Sequence, residues 1–257
     1  LGKNTAPTFA CHEKLVVTPM KLTVVTYNMH KGRSFWFRTY KLDVIRAQME
    51  QLTPDILFLQ EIHGVHPKRY NSRHSPLESL ASQSWPFHCY GRNAVYQKGH
   101  HGNALLSQFP IICHHNNDIS QSRLATRGLL HAQVQLNGKG TPLHLLNVHL
   151  DLFESARQRQ ADYISSYIAD RISEGDKVIM AGDFNDLRNR LDRKLLRHFE
   201  KASHQYRKLA TFPSSFPRYD LDRIYFRNLS CTNARVVSNR RLRILSDHLP
   251  LMVEFSV

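Results

Sequence analysis

The chain has 257 residues, a length that suits one layered α/β domain whose core needs no disulfide or metal support. Hydrophobic residues make up 41% and charged residues 22% of the sequence, which excludes a disordered chain, a collagen and a coiled coil. Lysine and arginine number 35 against 21 for aspartate and glutamate, and this net charge of +14 favours an anionic partner. A basic protein that binds no polyanion is the alternative interpretation. No apolar run reaches the roughly 20 residues of a membrane-spanning helix, so we expect no integral membrane segment.

Two kinds of segment alternate along the chain. Short β-branched or apolar runs predict buried strands at residues 22–27, 56–59, 129–134, 143–148, 178–181, 224–226 and 251–255. Apolar residues at helical spacing predict helices over residues 38–52, 155–173 and 191–202. Strands separated by amphipathic helices indicate sheets covered by helices. We expect residues 1–21 to form an N-terminal extension and residues 22–257 to form a single domain.

Acidic, amide and imidazole side chains lie at six of the strand ends. They are Asn28, Gln60, Glu61, His149, Asp151, Asp183, Asn185, Asp186, Asp222, Asp247 and His248. Singly, several have ordinary explanations, because Asp183 could cap a helix or a turn and His248 could be a satisfied core histidine. Glu61 is harder to explain, since a carboxylate directly after a buried strand risks burial without a partner. Groups at strand ends can converge on one edge of a sheet stack, and we expect these to do so. They offer oxygen ligands that suit Mg²⁺, Mn²⁺ or Ca²⁺ better than zinc.

These motifs, in this order, resemble those of the endonuclease/exonuclease/phosphatase superfamily, which includes pancreatic-type DNases, apurinic endonucleases, deadenylases, inositol-phosphate phosphatases and neutral sphingomyelinases. The similarity is carried by Asn28, Gln60–Glu61, His149, GDFN at 182–185, Asp222 and SDH at 246–248. Residues 90–111 and 211–226 are also similar to a small bacterial branch of that superfamily. The resemblance implies a four-layer α/β sandwich, with two mixed β-sheets packed face to face and helices outside.

The resemblance also implies roles around a metal ion and an attacking water. Glu61 matches the principal metal carboxylate, and Asn28 and Asp247 match residues that help to hold Mg²⁺ or Mn²⁺ or its waters. Asp183 matches the residue that orients or deprotonates the water, and Asn185 matches one that contacts the phosphate. A divalent ion would neutralise charge on the phosphate oxygens, and a carboxylate near the water would act as a general base.

Further residues match the family's phosphate contacts. His248 matches the histidine beside the scissile phosphate, Asp222 matches the carboxylate that orients it, and His149 takes the place of a phosphate-contacting His or Tyr. An Asp–His pair supplies a correctly oriented hydrogen-bond donor. From the residues themselves, Arg127 is a candidate phosphate clamp through its bidentate fork, although a solvated arginine at a strand start would look the same.

Other candidate substrate contacts come from a glycine-rich segment and from basic residues near the motifs. We interpret residues 98–103 as a loop whose Asn103 or His101 could reach a phosphate; zinc binding by His100 and His101 is the weaker alternative, because adjacent residues point apart. The basic candidates, all close to the motifs in sequence, are Lys31, Arg33, Arg240, Arg241 and Arg243.

The sequence thus predicts a Mg²⁺-dependent phosphodiesterase, and its charge favours a nuclease acting on DNA or RNA. The alternatives are a phosphodiesterase for phospholipid or sphingomyelin headgroups, to which residues 35–37 could add an interfacial aromatic cluster, and a phosphatase for small esters. A catalytically silent binding module is a further class, but the complete set of motif residues argues against it. We expect a soluble monomer, with the bacterial cytoplasm favoured as its compartment. Residues 1–21 lack an apolar signal core, but the chain begins with Leu1 and could be a trimmed product, so an exported form stays open.

Overall fold

The computed structural model describes residues 19–30, 42–64, 76–81, 84–96, 99–121, 125–136, 138, 140–203 and 208–257. Its strands form two six-stranded sheets. The first sheet contains β1 (Lys21–Asn28), β2 (Ile56–His63), β3 (Phe87–Tyr96), β4 (Gly99–Ser107), β11 (Ser230–Val236) and β12 (Leu251–Ser256), in the order β11-β12-β1-β2-β4-β3. The second contains β5 (Ile111–Asp118), β6 (Gly128–Val134), β7 (Leu143–His149), β8 (Val178–Asp183), β9 (Glu200–Lys201) and β10 (Asp222–Arg227), in the order β5-β6-β7-β8-β10-β9.

Both sheets are mixed, because β1 pairs with β2 and β7 with β8 in parallel while the other described pairings are antiparallel. The helices are α1 (Leu42–Leu52), α2 (Pro76–Leu80), α3 (Glu154–Arg171), α4 (Asp192–Leu195) and α5 (Leu242–Leu245). No helix within the described ranges is long and apolar enough to cross a membrane.

Three hydrophobic cores separate four layers. The central core joins the inner faces of the two sheets, one outer core lies between the first sheet and α1, α2 and α5, and the other lies between the second sheet and α3 and α4. Strand β1 illustrates the division, since Leu22 and Val24 enter the central core whereas Val25 and Tyr27 enter an outer one. This alternation is what the two-residue period of a strand requires. The predicted four-layer sandwich of two mixed sheets is confirmed.

Helix α3 lies within one or two residues of its predicted bounds and turns Ala161, Ile164 and Ile168 toward the second sheet. Helix α1 matches the described part of the 38–52 prediction. The helix predicted over 191–202 is wrong. Leu191, Leu195 and Phe199 are buried as expected, whereas Leu196 is exposed. Helix α4 has only four residues, and Glu200–Lys201 instead pairs with β10 at the sheet edge.

The interpretation of residues 98–103 as a loop is also wrong. From Gly99 onward the chain is strand β4, which pairs with both β2 and β3. The strands β3, β4, β5, β9 and β11 were not predicted from the sequence, and most of them carry many polar residues in place of continuous apolar runs. Strand β5 shows the reason, because it lies at the end of its sheet, is exposed along much of its length and needs few apolar residues.

Candidate active site

The sheet registers bring the polar strand ends together. In the second sheet, His149 at the end of β7 lies beside Asp183 at the end of β8, and Asp183 lies beside Asp222 at the start of the antiparallel β10. Strand β8 approaches β7 closely at Gly182, where a Cβ atom would lie 1.9 Å from the Val148 carbonyl oxygen. A glycine immediately before Asp183 is therefore a steric requirement of this strand pair.

A pocket of about 380 Å³ opens at these strand ends. Its lining residues come from both sheets and from the loops that follow their strands: Asn28, His30, Glu61, Arg127, His149, Leu152, Asp183, Asn185, Leu187, Phe212, Leu221, Asp247 and His248. Eight of the proposed catalytic, phosphate-binding and metal-binding residues thus share one cavity, and Asp222 lies directly behind His248.

Asp183 is 1% exposed and is held by two donors. The Asn28 side-chain amide donates to its Oδ2 over 3.0 Å, and the backbone N–H of Asn185 donates to its Oδ1 over 2.9 Å. Burial raises the pKa of Asp183 to about 6, an effect that outweighs the lowering by the imidazolium of His248 and by these hydrogen bonds. The carboxylate is therefore ionised at neutral pH and more basic than an ordinary aspartate.

His248 is bonded to a second carboxylate. Its Nδ1 lies 2.7 Å from Oδ2 of Asp222, and its Nε2 lies 3.7 Å from Oδ2 of Asp183. Burial acts to lower the pKa of His248, but the negative charges of Asp222 and Asp183 outweigh it and raise the pKa to about 10. The Thr211 hydroxyl also donates to Oδ2 of Asp222, over 2.5 Å. His248 is thus a fixed cation that presents one N–H to the pocket.

Two further carboxylates come from the side of the first sheet. Glu61 lies in β2, and Asp247 lies in the loop between α5 and β12. Glu61 has a φ of 56° and lies at an irregularity in the pairing of β2 with β4, between Leu59 and Ile62. This left-handed backbone departs from the regular strand at the residue that lines the pocket. Within the part of the chain that the structure describes, neither a hydrogen bond nor an ion pair holds the Glu61 carboxylate.

Asp247 lies beside His30, with 3.3 Å between its Oδ1 and the imidazole Nδ1. Burial acts to raise the pKa of Asp247, but the hydrogen bond from His30 and the charge of His248 lower it below its usual value. Together with the side-chain oxygen of Asn28, the Glu61 and Asp247 carboxylates form a set of oxygen donors in one pocket. That set fits Mg²⁺ or Mn²⁺ and lacks the thiolate or imidazole cluster of a structural zinc site.

A second group, Asp183, Asp222 and His248, also brings possible ligand atoms within 4.8 Å of one another. His248 already bonds Asp222 at 2.7 Å, and its other nitrogen faces Asp183. A metal ion bound to all three side chains would have to displace a proton from the His248 imidazole, where that proton lies between the ring and a carboxylate. This group is therefore better suited to holding protons than to holding a metal.

The phosphate-binding candidates Arg127 and His149 are neighbours in the pocket. Nη1 of Arg127 lies 3.4 Å from Nδ1 of His149, whose Nε2 lies 3.6 Å from Oδ2 of Asp183. The Asn185 side-chain amide donates to the Leu150 carbonyl over 3.0 Å, which fixes its orientation at the pocket wall. Cationic and amide donors thus line the side of the pocket that faces Asp183.

Asn103 does not belong to this pocket, contrary to our expectation. It is 1% exposed, and its amide donates across the sheets to the carbonyls of Gly128 and Asn147 over 3.2 and 3.3 Å. Both amide hydrogens are used in joining the two sheets, so Asn103 is a structural residue. His101 also lies outside the pocket lining.

The other basic candidates are not in the pocket either. Lys31 and Arg33 lie outside the described residues, as do the aromatic residues 35–37. Arg240, Arg241 and Arg243 are exposed around the start of α5, on the outer side of the first sheet, and none of the three lines the pocket. Proximity in sequence to Asp247 was a poor guide, because the chain turns through α5 before it reaches the site.

Five residues that line the pocket were not predicted from the sequence. His30, Leu152, Leu187, Phe212 and Leu221 line the pocket. The ring of Phe212 packs on His248, with 5.0 Å between ring centroids, and its neighbour Thr211 bonds Asp222. Both belong to residues 211–226, and the similarity of that segment to a bacterial branch of the superfamily was the signal in the sequence that could have indicated them. Leu152 and Leu187 are 69% and 54% exposed and carried no such signal.

This fold and this site define a metal-dependent phosphoric ester hydrolase. The chain belongs to the endonuclease/exonuclease/phosphatase family, whose sequence model matches residues 25–248. The resemblance noted from the sequence motifs is thereby confirmed.

Individual proteins are also similar to this chain in sequence or in fold. The chain is 37% identical over 241 residues to the uncharacterized protein YbhP of Escherichia coli, covering 90% of this chain and 94% of the relative. Among solved structures, an endonuclease/exonuclease/phosphatase from Beutenbergia cavernae is similar with a TM-score of 0.76 and 17% identity, over 92% of this chain and 72% of that one. A humanized TDP2 of D. rerio gives 0.69 and 19%, over 92% and 99% of the two chains. A mannosyl-6-phosphatase of Bacteroides thetaiotaomicron gives 0.70 and 19%, over 92% and 100%.

Proposed function

We propose that the protein is a Mg²⁺- or Mn²⁺-dependent phosphodiesterase that cleaves nucleic acid. The observation that carries the chemistry is the shared pocket, in which the Asp183 carboxylate and the His248 imidazolium face each other 3.7 Å apart. One group suits proton removal and the other suits stabilisation of negative charge. Both kinds of group are needed when water attacks a phosphate ester.

In this proposal, Glu61, Asn28 and Asp247 hold the divalent ion. When bound, the ion would neutralise charge on the phosphate oxygens and stabilise the leaving oxygen. Glu61 lines the pocket from a left-handed backbone position, and the depressed pKa of Asp247 keeps the Asp247 carboxylate ionised, so both residues suit this role. The Asn28 backbone carbonyl accepts a 2.7 Å hydrogen bond from the Ser246 hydroxyl, which holds the two ligand-bearing segments together.

Asp183 takes a proton from the attacking water. Its two hydrogen bonds, from Asn28 and Asn185, fix the carboxylate plane, and its raised pKa makes it a better base than a solvated aspartate. The neighbouring Asn185 side chain is positioned to contact a phosphate oxygen. Water and phosphate would therefore meet at the second sheet's strand ends.

His248 donates its Nε2–H to a phosphate oxygen, and Asp222 keeps the imidazole charged and oriented. Arg127 and His149 lie at the side of the same pocket and would bind the remaining phosphate oxygens. The donors are held by protein hydrogen bonds before substrate arrives, so little reorganisation is needed when charge develops.

The choice of a nucleic acid as substrate is supported by charge. A net charge of +14 attracts polyanions over long distances and accelerates their association at low ionic strength. A phosphatase acting on a small ester gains less from such a field, because a small ester contacts only the pocket. A mannosyl-6-phosphatase is among the structural neighbours, and the test below therefore includes small phosphate esters as substrates.

One observation favours a second candidate, a phospholipid headgroup phosphodiesterase. Leu152, Phe153 and Leu187 are exposed by 69%, 70% and 54%, and two of them line the pocket. Exposed apolar side chains at the mouth of a site can insert at the boundary between lipid headgroups and acyl chains.

The test is a substrate panel with Mg²⁺, with Mn²⁺ and with excess EDTA. It includes plasmid DNA, oligonucleotides, RNA, phospholipid vesicles and small phosphate mono- and diesters, and it uses Asp183→Asn as the inactive control. We expect metal-dependent cleavage of DNA or RNA. Cleavage of phospholipid or of monoesters alone would overturn the nuclease proposal, and full activity in EDTA would overturn the metal assignment.

A further inference from the structure

A basic groove of about 580 Å³ lies next to the active-site pocket. Five cationic side chains line it: Arg188, Arg190, Arg193, Lys194 and Arg197. All five come from one short segment that follows the GDFN motif and contains α4, and Gln158 of α3 lies on the other side. The active-site pocket, in comparison, has one arginine in its lining, Arg127.

The groove and the active-site pocket have lining residues close together in sequence on two sides. Leu187 lines the pocket, and the next residue, Arg188, lines the groove. On the other side Leu152 lines the pocket, and α3 begins two residues later and carries Gln158 into the groove wall. The two cavities are therefore neighbours along the chain, and the groove is lined by residues of α3 and of the segment that contains α4.

The groove carries an excess of positive charge. Arg190 pairs with Glu154, and Lys194 pairs with Asp162 over 2.5 Å. Arg188, Arg193 and Arg197 are exposed and have no acidic partner in the part of the chain that the structure describes. Three guanidinium groups therefore remain available to an anionic ligand, and guanidinium groups bind phosphate bidentately.

The segment that carries these arginines is anchored to the core. Leu191 and Leu195 are each 1% exposed, and the Asp186 carboxylate accepts the backbone N–H of Leu191 over 2.8 Å. Asp192, at the start of α4, accepts hydrogen bonds from Tyr225 and Lys201 over 2.5 and 3.0 Å. The backbone of the groove is thus fixed before a ligand binds, which lowers the entropy cost of binding.

We propose that this groove binds nucleic-acid phosphates next to the phosphate held in the pocket. The inference rests on the proposed nuclease function and adds a binding surface outside the catalytic residues. A polynucleotide carries a phosphate at every nucleotide, so a strand with one phosphate in the pocket brings its neighbours into the groove. A membrane surface fits less well, because a recessed groove admits a chain but not a flat array of headgroups.

The experiment compares two double variants with the same change in charge. Arg193→Ala/Arg197→Ala removes two groove cations, and Arg240→Ala/Arg241→Ala removes two exposed arginines beside α5, on the outer side of the other sheet. We expect the groove variant to raise KM for an oligonucleotide at least about tenfold at physiological salt, with kcat unchanged. The dependence of log KM on log salt should flatten by about 1.4 to 1.8, the contribution of two phosphate contacts. Both variants should hydrolyse bis(p-nitrophenyl) phosphate like the wild type, and Arg188→Ala gives an independent single-residue test.

The outcomes separate the groove from the proposed function. If the wild type cleaves oligonucleotides and the groove variant has the KM and salt dependence of the control, the groove assignment is wrong and the nuclease proposal stands. If the wild type cleaves only small esters, the nuclease proposal fails, and a fluorescent oligonucleotide titrated into Asp183→Asn then tests the groove alone. Binding that weakens only in the groove variant supports the groove; absence of binding, or binding through the groove only to vesicles containing phosphatidylglycerol, overturns it.

Discussion

The Nδ1 atom of His248 lies 2.7 Å from Oδ2 of Asp222, so the imidazole can direct only its Nε2 atom toward the pocket. Asp222 is buried and also accepts the Thr211 hydroxyl. The pair therefore behaves as one unit, in which a carboxylate remote from the pocket sets the charge and the orientation of the group that faces it.

Replacing Asp222 should therefore act through His248. In Asp222→Asn the pKa of His248 should fall from about 10 toward its usual range, because the adjacent negative charge is lost. Turnover should fall in both His248→Ala and Asp222→Asn, by about 10²- to 10⁴-fold in the former and by less in the latter. NMR titration of the imidazole reports the pKa, and an unchanged titration in Asp222→Asn would contradict the coupling.

Glu61→Gln should reduce turnover by at least about 10²-fold, the scale of losing one preorganised electrostatic contact. Affinity for Mn²⁺, measured by isothermal titration calorimetry, should weaken in parallel, because an amide oxygen is a poorer ligand than a carboxylate. Glu174→Gln, at an exposed position before the start of β8 and so at the opposite end of that strand from Asp183, is the matched control. Wild-type activity in Glu61→Gln would show that the metal lies elsewhere.

Asp183→Asn should abolish most turnover while leaving the fold and the affinity for Mn²⁺ close to those of the wild type. The amide cannot accept a proton from water, although it retains the shape of the carboxylate. Circular dichroism, metal titration and turnover together separate this outcome from unfolding. The exposed Asp170→Asn serves as the control, and comparable turnover in the two variants would remove Asp183 from the base role.

A buried histidine pair away from the site should make stability depend on pH. His131 bonds His144 and the Tyr167 hydroxyl, each over 2.9 Å, and burial, together with the nearby charges of His144 and His115, lowers the pKa of His131 to about 4. Because the unfolded chain binds a proton near pH 6.5 and the folded one does not, stability is present above the unfolded pKa and is lost as pH falls toward 4.

For His131 alone the free energy of unfolding should fall by about 2 kcal/mol between pH 7.5 and pH 5. Urea denaturation at the two pH values measures this change. In His131→Gln the pH-dependent loss should be smaller by that amount, even if the variant is less stable overall. Equal losses in the two proteins would mean that His131 does not titrate on unfolding in this range.

The contact between the sheets should be sensitive to one amide. The Asn147 side chain donates to the carbonyls of Leu59 and Ala104 over 3.1 and 2.8 Å and accepts from Gln60 over 2.9 Å. Asn147→Ala should cost about 2 to 4 kcal/mol, because it leaves buried polar groups of the opposite sheet unpaired. Thermal unfolding measures the change, with the exposed Asn233→Ala as reference; equal stability of the two variants would contradict a structural role for the network.

The sequence was most informative where strands are buried on both faces. Strands β1, β2, β7 and β8 are nearly continuous apolar runs, so their ends, and the polar residues at those ends, could be located directly. The family motifs then predicted the two-sheet architecture. Polar strands such as β5 escaped detection because edge positions impose little hydrophobic pattern.

Site residues that depend on register could not be predicted in the same way. From the sequence alone, either Asn103 or Asn147 could be an amide that binds phosphate. In the structure each donates to a carbonyl of the other sheet, Asn103 from the first sheet and Asn147 from the second. Arg240 lies seven residues before Asp247 and still points to another part of the surface, whereas Arg193 borders a groove that adjoins the pocket. Only the three-dimensional pairing of strands separates these cases.

The left-handed backbone at Glu61 has a consequence for how this chain can evolve. A residue with a side chain in that conformation costs on the order of 1 kcal/mol or more, whereas glycine adopts it freely. Selection for stability alone would replace the glutamate by glycine. The proposed metal site and the relaxed backbone therefore favour different residues at this position, glutamate for its carboxylate and glycine for its conformational freedom.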